Sequence, residues 1–375
     1  MVLLFALASL SSGSARDGRL HTHHRTCPGN TSSLYTDWPM PIPGHGLLCP
    51  LQLWMDDVAP LLARSTDGLT FLNAGANKGF TTAMLLQRFG GLNITNMEWY
   101  GFLQRFLHSR HARGTMHLCG VCCACVESQP AVAAPALGTT HVYAFEPVVP
   151  NYNFLVAAFE HYSTSSANAT ISLAALGNQR NMTVSVQTAG VVVGKENVVA
   201  RAHQSGSRLR SGHDAIPVIM LDDWMKRNAI QRVDMALFDT EGWDLAILDG
   251  MAETLKAGSL SIFEIELLWP PPVAGIPKVN ESLARLHALG YACFFEYDNG
   301  CLAPANEPRC HIPSTAVYRH QQNVVCALET PRSQDNAVTS KVALALWRIS
   351  NICAASPTSL NAPKRPWIPT RHCFA

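Results

Sequence analysis

The stretch LTFLNAGANKG, residues 69–79, decides the fold. Its first part, Leu69–Asn73, is a mostly apolar run with the length of a buried β-strand. Gly75 and Gly79 then predict a sharp turn, because glycine adopts backbone conformations that other residues avoid and lets a ligand approach the main chain. A helix is expected from Phe80 to Phe89. The order strand, glycine turn, helix predicts the first unit of an open α/β sheet, with a ligand over the carboxyl end of the strand.

Glu146 follows the second predicted strand, His141–Phe145, and Pro147 ends that strand. A carboxylate at this position can accept hydrogen bonds from both ribose hydroxyls of a nucleoside, and a surface glutamate at a strand end is the alternative. The interval from Gly79 to Glu146 far exceeds the roughly 20 residues that usually separate such features. An insertion at residues 90–138 explains the extra length. The glycine turn after the first strand and the acid at the end of the second strand together indicate a doubly wound sheet that binds a nucleoside.

Strands continue to alternate with helices along the chain, which predicts a parallel sheet covered on both faces. Strands this apolar are buried on both sides. The further predicted strands are Ile171–Leu176, Val218–Leu221, Val233–Phe238, Leu260–Ile265, Tyr291–Glu296 and Asn323–Ala327. The further predicted helices are Leu51–Arg64, Asn151–His161, Asp222–Asn228, Leu245–Ala257, Glu281–Leu289 and Ala337–Ile352.

Short sequence blocks recur in a fixed order after these first elements. They are LDD at 221–223, VD at 233–234, DTEG at 239–242 and FE at 263–264. Together with GANKG at 75–79 and AFEP at 144–147, these blocks resemble the FkbM-like S-adenosylmethionine-dependent methyltransferases, roughly from Leu69 to Leu328. The order and spacing of the blocks are far more specific than any one block. The resemblance is closest to members with a Cys-Gly-x-Cys insertion, here at residues 119–122.

The resemblance implies an α/β fold: a doubly wound, seven-stranded Rossmann-like methyltransferase sheet with its last strand antiparallel and a Cys-rich insertion after the first helix. It implies S-adenosyl-L-methionine as cofactor and methyl donor, and a hydroxyl of a sugar or other small molecule as acceptor. By resemblance, the turn cradles the donor's amino-acid end, Glu146 binds the ribose, Leu176 borders the adenine and Asp239 lies beside the sulfonium. The cofactor-binding residues carried over are Asn73, Gly75, Ala76, Asn77, Gly79, Glu146, Leu176 and Asp239.

Asn73 departs from the family pattern, because members usually carry Asp at this position. The missing carboxylate removes a partner for the donor's ammonium group or for the turn. A catalytically weak or inactive methyltransferase-fold binding protein is therefore the alternative function. An NAD-dependent oxidoreductase on the same kind of sheet is a third hypothesis, and the DTEG block and the FEP strand end argue against it.

The implied reaction is direct displacement at the sulfonium methyl group, in which alignment of acceptor oxygen and methyl carbon supplies most of the catalysis. A general base helps, because a hydroxyl is a poor nucleophile until its proton begins to leave. Asp239 and Glu241 are the candidate catalytic residues, and Glu264 and Glu266 are the next candidates. The structural alternatives are that Asp239 only positions the donor and that Glu241 caps the following helix near Trp243.

The chain has 375 residues, 47% of them hydrophobic and 15% charged, with a net charge of +1. This composition supports a large core and gives no support for a nucleic-acid-binding surface. The predicted organisation is a signal peptide at 1–15, a loop-rich extension with one helix at 16–66, the methyltransferase domain at 67–330 with its insertion at 90–138, and a C-terminal extension at 331–375. Nothing in the sequence indicates the oligomeric state.

The N-terminus, the cysteines and the sequons favour the secretory pathway lumen or secretion. Val2–Leu10 is apolar and precedes the small residues Gly13–Ala15, as in a signal peptide, and it is too short to span a bilayer, which takes about 20 residues. The 12 cysteines suit an oxidising compartment. If the leader is not a signal peptide, the chain is cytoplasmic. Asn-X-Ser/Thr sequons occur at Asn30, Asn93, Asn168, Asn181 and Asn280.

The cysteines of the insertion have two interpretations. Their C-x-x-C spacing, with His117 nearby, is used for zinc in cytosolic proteins, but a secreted chain more often forms disulfides, so no metal is predicted. The insertion cysteines are Cys119, Cys122, Cys123 and Cys125. A second group of cysteines is expected to link the last strands by disulfides: Cys293, Cys301, Cys310 and Cys326. For Cys293 and Cys326, small buried thiols are the alternative.

Overall fold

The computed structural model describes residues 54–62, 68–109, 138–187, 201–204, 212–267, 275–296, 302–306, 322–329 and 337–355. The strands are β1 Leu69–Ala74, β2 Thr140–Phe145, β3 Ala167–Ser172, β4 Ala175–Leu176, β5 Met182–Gln187, β6 Arg201–Gln204, β7 His213–Ile219, β8 Val233–Phe238, β9 Leu260–Leu267, β10 Tyr291–Glu296, β11 Leu302–Pro304 and β12 Gln322–Leu328. The helices are α1 Trp54–Leu62, α2 Phe80–Gly90, α3 Asn96–Ser109, α4 Val149–Tyr162, α5 Leu221–Arg227, α6 Asp244–Gly250, α7 Ala252–Ala257, α8 Gly275–Ala288 and α9 Ala337–Ala355.

The larger sheet has eight strands in the order β11-β10-β12-β9-β8-β1-β2-β3. The five strands from β9 to β3 run parallel, and β12 lies antiparallel between β9 and β10. The mixed α/β class and the antiparallel last strand are confirmed. The expected seven-stranded sheet gains one member, the short edge strand β11, which pairs antiparallel with β10.

The central strands of the larger sheet are buried on both faces, as their unbroken apolar runs predicted, whereas most residues of the edge strand β3 are half-buried or exposed. Every residue of β8 and β9 is buried. One face carries an apolar cluster that includes Phe71 and Phe154, and the opposite face carries a cluster that includes Leu72 and Leu248. Each large apolar side chain removed from water in this way contributes about 1.5–3 kcal/mol. Helices therefore cover the sheet on both sides and leave the ends of its strands for the site.

A second sheet has four strands in the order β4-β7-β5-β6. The sequence predicted a single strand, Ile171–Leu176, where the structure has parts of β3 and β4, and it did not predict β5 or β6. In the structure β3 ends at Ser172, and β4 pairs instead with β7. This sheet has its own apolar cluster around Val184 and Ile216, against which Trp243 packs.

Helices α3, α6, α7 and α8 differ from the sequence prediction. The insertion at 90–138 contains α3, whose first turn is held by reciprocal hydrogen bonds between Thr95 and Glu98. The single helix expected over Leu245–Ala257 is divided into α6 and α7 at Met251. Helix α8 begins at Gly275, well before the expected start at Glu281.

The helices nearest the two ends of the described chain, α1 and α9, contact each other on one face of the sheet. Within the described part of the chain, no helix has the length and apolarity needed to cross a membrane.

Cys293 and Cys326 face each other on β10 and β12 at disulfide distance, with sulfur atoms 2.07 Å apart. The insertion cysteines 119–125, as well as Cys301 and Cys310, lie outside the described residues.

Candidate functional site

The carboxyl ends of β1, β2 and β8 meet at one edge of the larger sheet, and main-chain hydrogen bonds tie them together. The amides of Gly75 and Ala76 donate to the carbonyl oxygen of Phe145, at 3.0 and 3.2 Å. The amide of Asp239 donates to the carbonyl oxygen of Ala74 at 3.0 Å. The turn after β1, the acid after β2 and the acid after β8 are therefore neighbours, as strand order and motif position predicted.

Contacts within the protein explain both glycines of the turn. A Cβ atom on Gly75 would lie 1.7 Å from the carbonyl oxygen of Asp239, and the backbone there has a φ of +77°. A Cβ atom on Gly79 would lie 2.4 Å from the side chain of Leu155 and 2.8 Å from that of Trp99. The sequence predicted a sharp turn that a ligand could approach. The positive φ of both glycines fits such a turn, and the close contacts show that packing within the protein also leaves no room for a side chain.

Glu146 is buried and holds the turn through its carboxylate. Its Oε2 accepts a hydrogen bond from the amide of Asn77 at 2.7 Å, and its Oε1 accepts one from the amide of Val148 at 2.8 Å. The side-chain amide of Asn151 reaches both Glu146 Oε1, at 3.4 Å, and Asn77 Oδ1, at 3.3 Å. Burial raises the pKa of Glu146 to about 7, against the lowering effect of these hydrogen bonds.

Asn73 and Leu176 are both buried against other parts of the protein. Asn73 is buried, and its Nδ2 donates to the hydroxyl of Thr82 at 2.8 Å, which joins β1 to the first turn of α2. Leu176 lies in β4 and is buried in the apolar cluster that contains Phe145. Neither residue was expected to make these contacts, because the resemblance placed both against the donor.

Asp239 and Glu241 occupy the turn between β8 and α6. Asp239 is exposed and Glu241 is half-buried. Glu241 has a φ of +53°, a conformation that costs a residue other than glycine about 1–3 kcal/mol and is concentrated at functional sites. Helix α6 begins after Trp243, whose side chain makes no capping hydrogen bond. The capping role considered for Glu241 stays a prediction.

Glu264 is buried on β9, and both of its carboxylate oxygens are engaged by protein donors. The indole Nε1 of Trp54 donates to Oε2 at 3.0 Å, and the side-chain amide of Asn323 donates to Oε1 at 3.1 Å. These contacts connect α1, β9 and β12 beside the strand ends. Sequence reasoning missed Trp54 and Asn323, and no local signal could have found Trp54, which lies 210 residues from its partner.

Glu266 and Asp244 lie directly behind Asp239. Both are buried, and Asp244 Oδ1 accepts a hydrogen bond from the amide of Glu266 at 3.2 Å. Burial raises the pKa of Asp244 to about 7 and, with the charges of Asp239 and Asp244 added, raises that of Glu266 to about 11. Sequence reasoning ranked Glu266 below Asp239 and did not single out Asp244.

Residues 122–293 match the family described as Methyltransferase FkbM domain. This part of the chain is therefore similar to FkbM methyltransferases. The matched range includes Glu146 and Asp239 and starts after the glycine turn, so the turn lies outside the matched range. No curated protein matches the chain.

Solved methyltransferase structures show distant similarity. Methyltransferase FkbM from Methylobacillus flagellatus KT is 11% identical, with 70% of this chain and 44% of that chain covered and a TM-score of 0.33. This chain thus spans less than half the length of that protein. The METTL16 MTase domain is 10% identical, with 80% and 78% covered and a TM-score of 0.33. Precorrin-6y C5,15-methyltransferase from Geobacter metallireducens GS-15 is 10% identical, with 74% and 87% covered and a TM-score of 0.27.

The residues at the ends of these strands are chemically suited to a nucleoside with a cationic end. A carboxylate oxygen has two acceptor positions. Glu146 Oε1 already accepts from the Val148 amide and the Asn151 side chain, whereas Oε2 accepts from the Asn77 amide and can also accept from a ribose hydroxyl. Asp239 adds an exposed carboxylate at the next strand but one. Among the described residues, no group of three or more His, Cys, Asp or Glu side chains could hold a metal ion.

Proposed function

We propose that the chain is an S-adenosyl-L-methionine-dependent O-methyltransferase that acts on a hydroxyl of a sugar or other small molecule. One observation carries this proposal: the buried carboxylate of Glu146 and the exposed carboxylate of Asp239 flank the same turn, at the ends of β2 and β8. This is the arrangement required by a ligand whose ribose and reactive centre lie a few ångströms apart. The similarity to FkbM methyltransferases gives the chemistry its class.

When bound, S-adenosylmethionine supplies an electrophilic methyl group on a sulfonium. The residues that would hold it are Glu146 at the ribose and the turn from Gly75 to Gly79 at the amino-acid end. Glu146 enters this role with its carboxylate already oriented by two main-chain amides, so little side-chain entropy is lost on binding.

Asp239 is the proposed general base, with Glu241 as the second candidate. Asp239 is exposed, so an acceptor hydroxyl can reach it, whereas Glu241 is half-buried in a turn. The bound donor would supply the methyl group and keep the electron pair of its carbon–sulfur bond, and Asp239 would take the proton that the acceptor hydroxyl loses. A positioned base of this kind contributes about 10²- to 10⁴-fold.

The alternative proposal is a binding protein of the same fold with weak or no turnover. Asn73 favours it, since its side-chain amide is committed to Thr82 and supplies no negative charge for the donor's ammonium group. The two functions share the donor site and differ only in whether methyl transfer follows binding.

We further propose that the protein acts on its acceptor in the lumen of the secretory pathway. A glycan hydroxyl would be a natural substrate in that compartment. The apolar leader, the cysteine content and the sequons support this location, and the Cys293–Cys326 pair is consistent with an oxidising compartment.

Calorimetric titration of S-adenosylmethionine tests the cofactor. Wild-type protein should bind saturably, and Glu146→Ala should weaken binding about 10- to 150-fold, because it removes charge-assisted hydrogen bonds worth roughly 1.5–3 kcal/mol. Glu160→Ala is the matched control, since Glu160 is an exposed carboxylate on α4 and should leave binding unchanged. No binding by folded wild-type protein would overturn both proposed functions.

Methyl transfer from labelled donor across a panel of sugars and small alcohols then separates the two functions. Transfer that Asp239→Asn reduces by about 10²-fold or more would support the enzyme. Saturable binding with no transfer to any acceptor would instead favour the binding protein.

A further inference from the structure

Asp239 and Glu266 lie side by side at the ends of adjacent strands. Phe238 on β8 pairs in register with Ile265 on β9, and Asp239 and Glu266 are the next residues along. The two carboxyl groups share a hydrogen bond. Their exposures differ sharply, since Asp239 is exposed and Glu266 is only 5% exposed. The pair therefore consists of an outer carboxyl group that a ligand can reach and an inner one that it cannot.

Asp244 fixes the inner carboxyl group in place. Its Oδ1 accepts from the main-chain amide of Glu266, and its Oδ2 accepts from the hydroxyl of Thr240 at 2.8 Å. Asp244 is 1% exposed, so this bracket between β9 and the turn after β8 lies inside the protein. The end of β9 is thereby held at a set distance from the turn that carries Asp239.

Among the described residues, the charged groups that act most strongly on Glu266 are carboxylates. Asp239 and Glu241 act from the turn after β8, and Asp244 acts from α6. Glu264, the neighbouring acid on the same face of β9, is occupied by donors from Trp54 and Asn323. Two carboxylates in contact cannot both ionise, and the buried one keeps the proton because burial penalises its charged form. Glu266 is thus a neutral acid at physiological pH, and its hydroxyl donates to the Asp239 carboxylate.

We propose that Glu266 is a positioning residue for methyl transfer, a neutral hydrogen-bond donor that fixes one oxygen of Asp239 while the other oxygen faces the acceptor hydroxyl. This inference rests on the proposed function and adds a partner to its base. Glu266 keeps its proton throughout, so it exchanges nothing with the acceptor. Its role is to hold Asp239 in one rotamer and ionised.

The Glu266→Gln variant tests the role of the proton. Glutamine has the same shape and still donates a hydrogen bond, but it cannot ionise. We therefore expect kcat and its pH profile to stay close to wild type in Glu266→Gln. Glu266→Ala should lower kcat about 10- to 150-fold with little change in the KM for the donor, because a hydrogen bond to a charged group is lost. If Glu266→Gln is as impaired as Glu266→Ala, Glu266 must ionise and the proposal is wrong.

Infrared spectroscopy provides a readout that does not need turnover. Between about pH 7, the pKa of Glu146 and Asp244, and about pH 11, the pKa of Glu266, wild-type protein should retain the carbonyl band of a protonated carboxyl group. Glu266→Gln should abolish the band, and Glu160→Gln should keep it. Absence of the band in wild type would overturn the proposal even if methyl transfer is measured. Presence of the band without any methyl transfer would locate the proton but overturn the proposed function, and the positioning role with it.

Discussion

Gly75 has no space for a side chain, which gives the turn a sharp test at the scale of one residue. We expect Gly75→Ala to lower the free energy of unfolding by about 3 kcal/mol or more, since the added Cβ overlaps the carbonyl oxygen of Asp239 at a positive φ. Chemical denaturation measures the difference. Gly101→Ala is the matched control, because its Cβ would meet only Arg105 at 3.5 Å, and it should be neutral or stabilising by about 0.5–1 kcal/mol. Equal stabilities of the two variants would contradict the contact.

At the scale of single residues, the sequence could predict the location of those site residues whose position depends only on the order of the strands. Glu146 and Asp239 could be placed together because each directly follows a parallel strand, and such strands end at one edge of the sheet. The environment of Asn73 could not be predicted, since its hydrogen bond to Thr82 depends on how α2 lies on β1. The proton on Glu266 depends on burial and on neighbours from two other elements, which no local motif encodes.

At the scale of elements, Trp54 attaches α1 to the sheet. Trp54 is 1% exposed, and its indole donates to Glu264, while Asp56 on the same helix pairs with Arg88 of α2 at 2.9 Å. We expect Trp54→Phe to cost about 1–3 kcal/mol of unfolding free energy, because the buried Glu264 loses a donor. Denaturation of Trp54→Phe in wild-type and Glu264→Gln backgrounds measures the coupling.

Trp224→Phe serves as the control for this coupling. Trp224 is also buried, and its ring contacts Phe145 edge-on. Its replacement should have the same cost in both backgrounds. A cost of Trp54→Phe that is unaffected by Glu264→Gln would show that the indole contributes packing alone.

Most elements were predictable from apolar runs, and the exceptions have physical causes. Helices α6 and α7 were predicted as a single helix because the helical spacing of apolar residues continues across Met251. The structure separates them where a Cβ on Gly250 would lie 2.0 Å from the carbonyl oxygen of Gly177, so the chain passes too closely for any other residue. Strands β5 and β6 form an antiparallel pair outside the larger sheet. Strand β5 alternates apolar and polar residues, MTVSVQ, which is the signal of a half-buried strand that the prediction overlooked.

At the scale of the whole molecule, the structure discriminates among the sequons. Asn93 lies exposed in the loop before α3, and Asn181 lies exposed in a turn with a φ of +57°. Asn168 is half-buried in β3, and Asn280 lies within α8. Because glycan acceptors are surface-loop residues, we expect glycans on Asn93 and Asn181 and none on Asn168 and Asn280. Asn30 lies outside the described residues.

Mass spectrometry of protein secreted from glycosylating cells measures this pattern. Asn93→Gln and Asn181→Gln should each remove one glycan, and Asn280→Gln should remove none. A secreted chain without a glycan at Asn93 and Asn181 would contradict the prediction, and retention of the chain in the cytoplasm would argue against the proposed location.

The close contact between Gly75 and Asp239 has a consequence for how two substrates would affect each other's binding. The turn that would receive the donor is hydrogen-bonded to the ends of both neighbouring strands, so it cannot shift without moving the main chain that carries Asp239. Donor and acceptor affinities are then thermodynamically linked, and the linkage is reciprocal: whatever factor the donor adds to acceptor affinity, the acceptor adds to donor affinity.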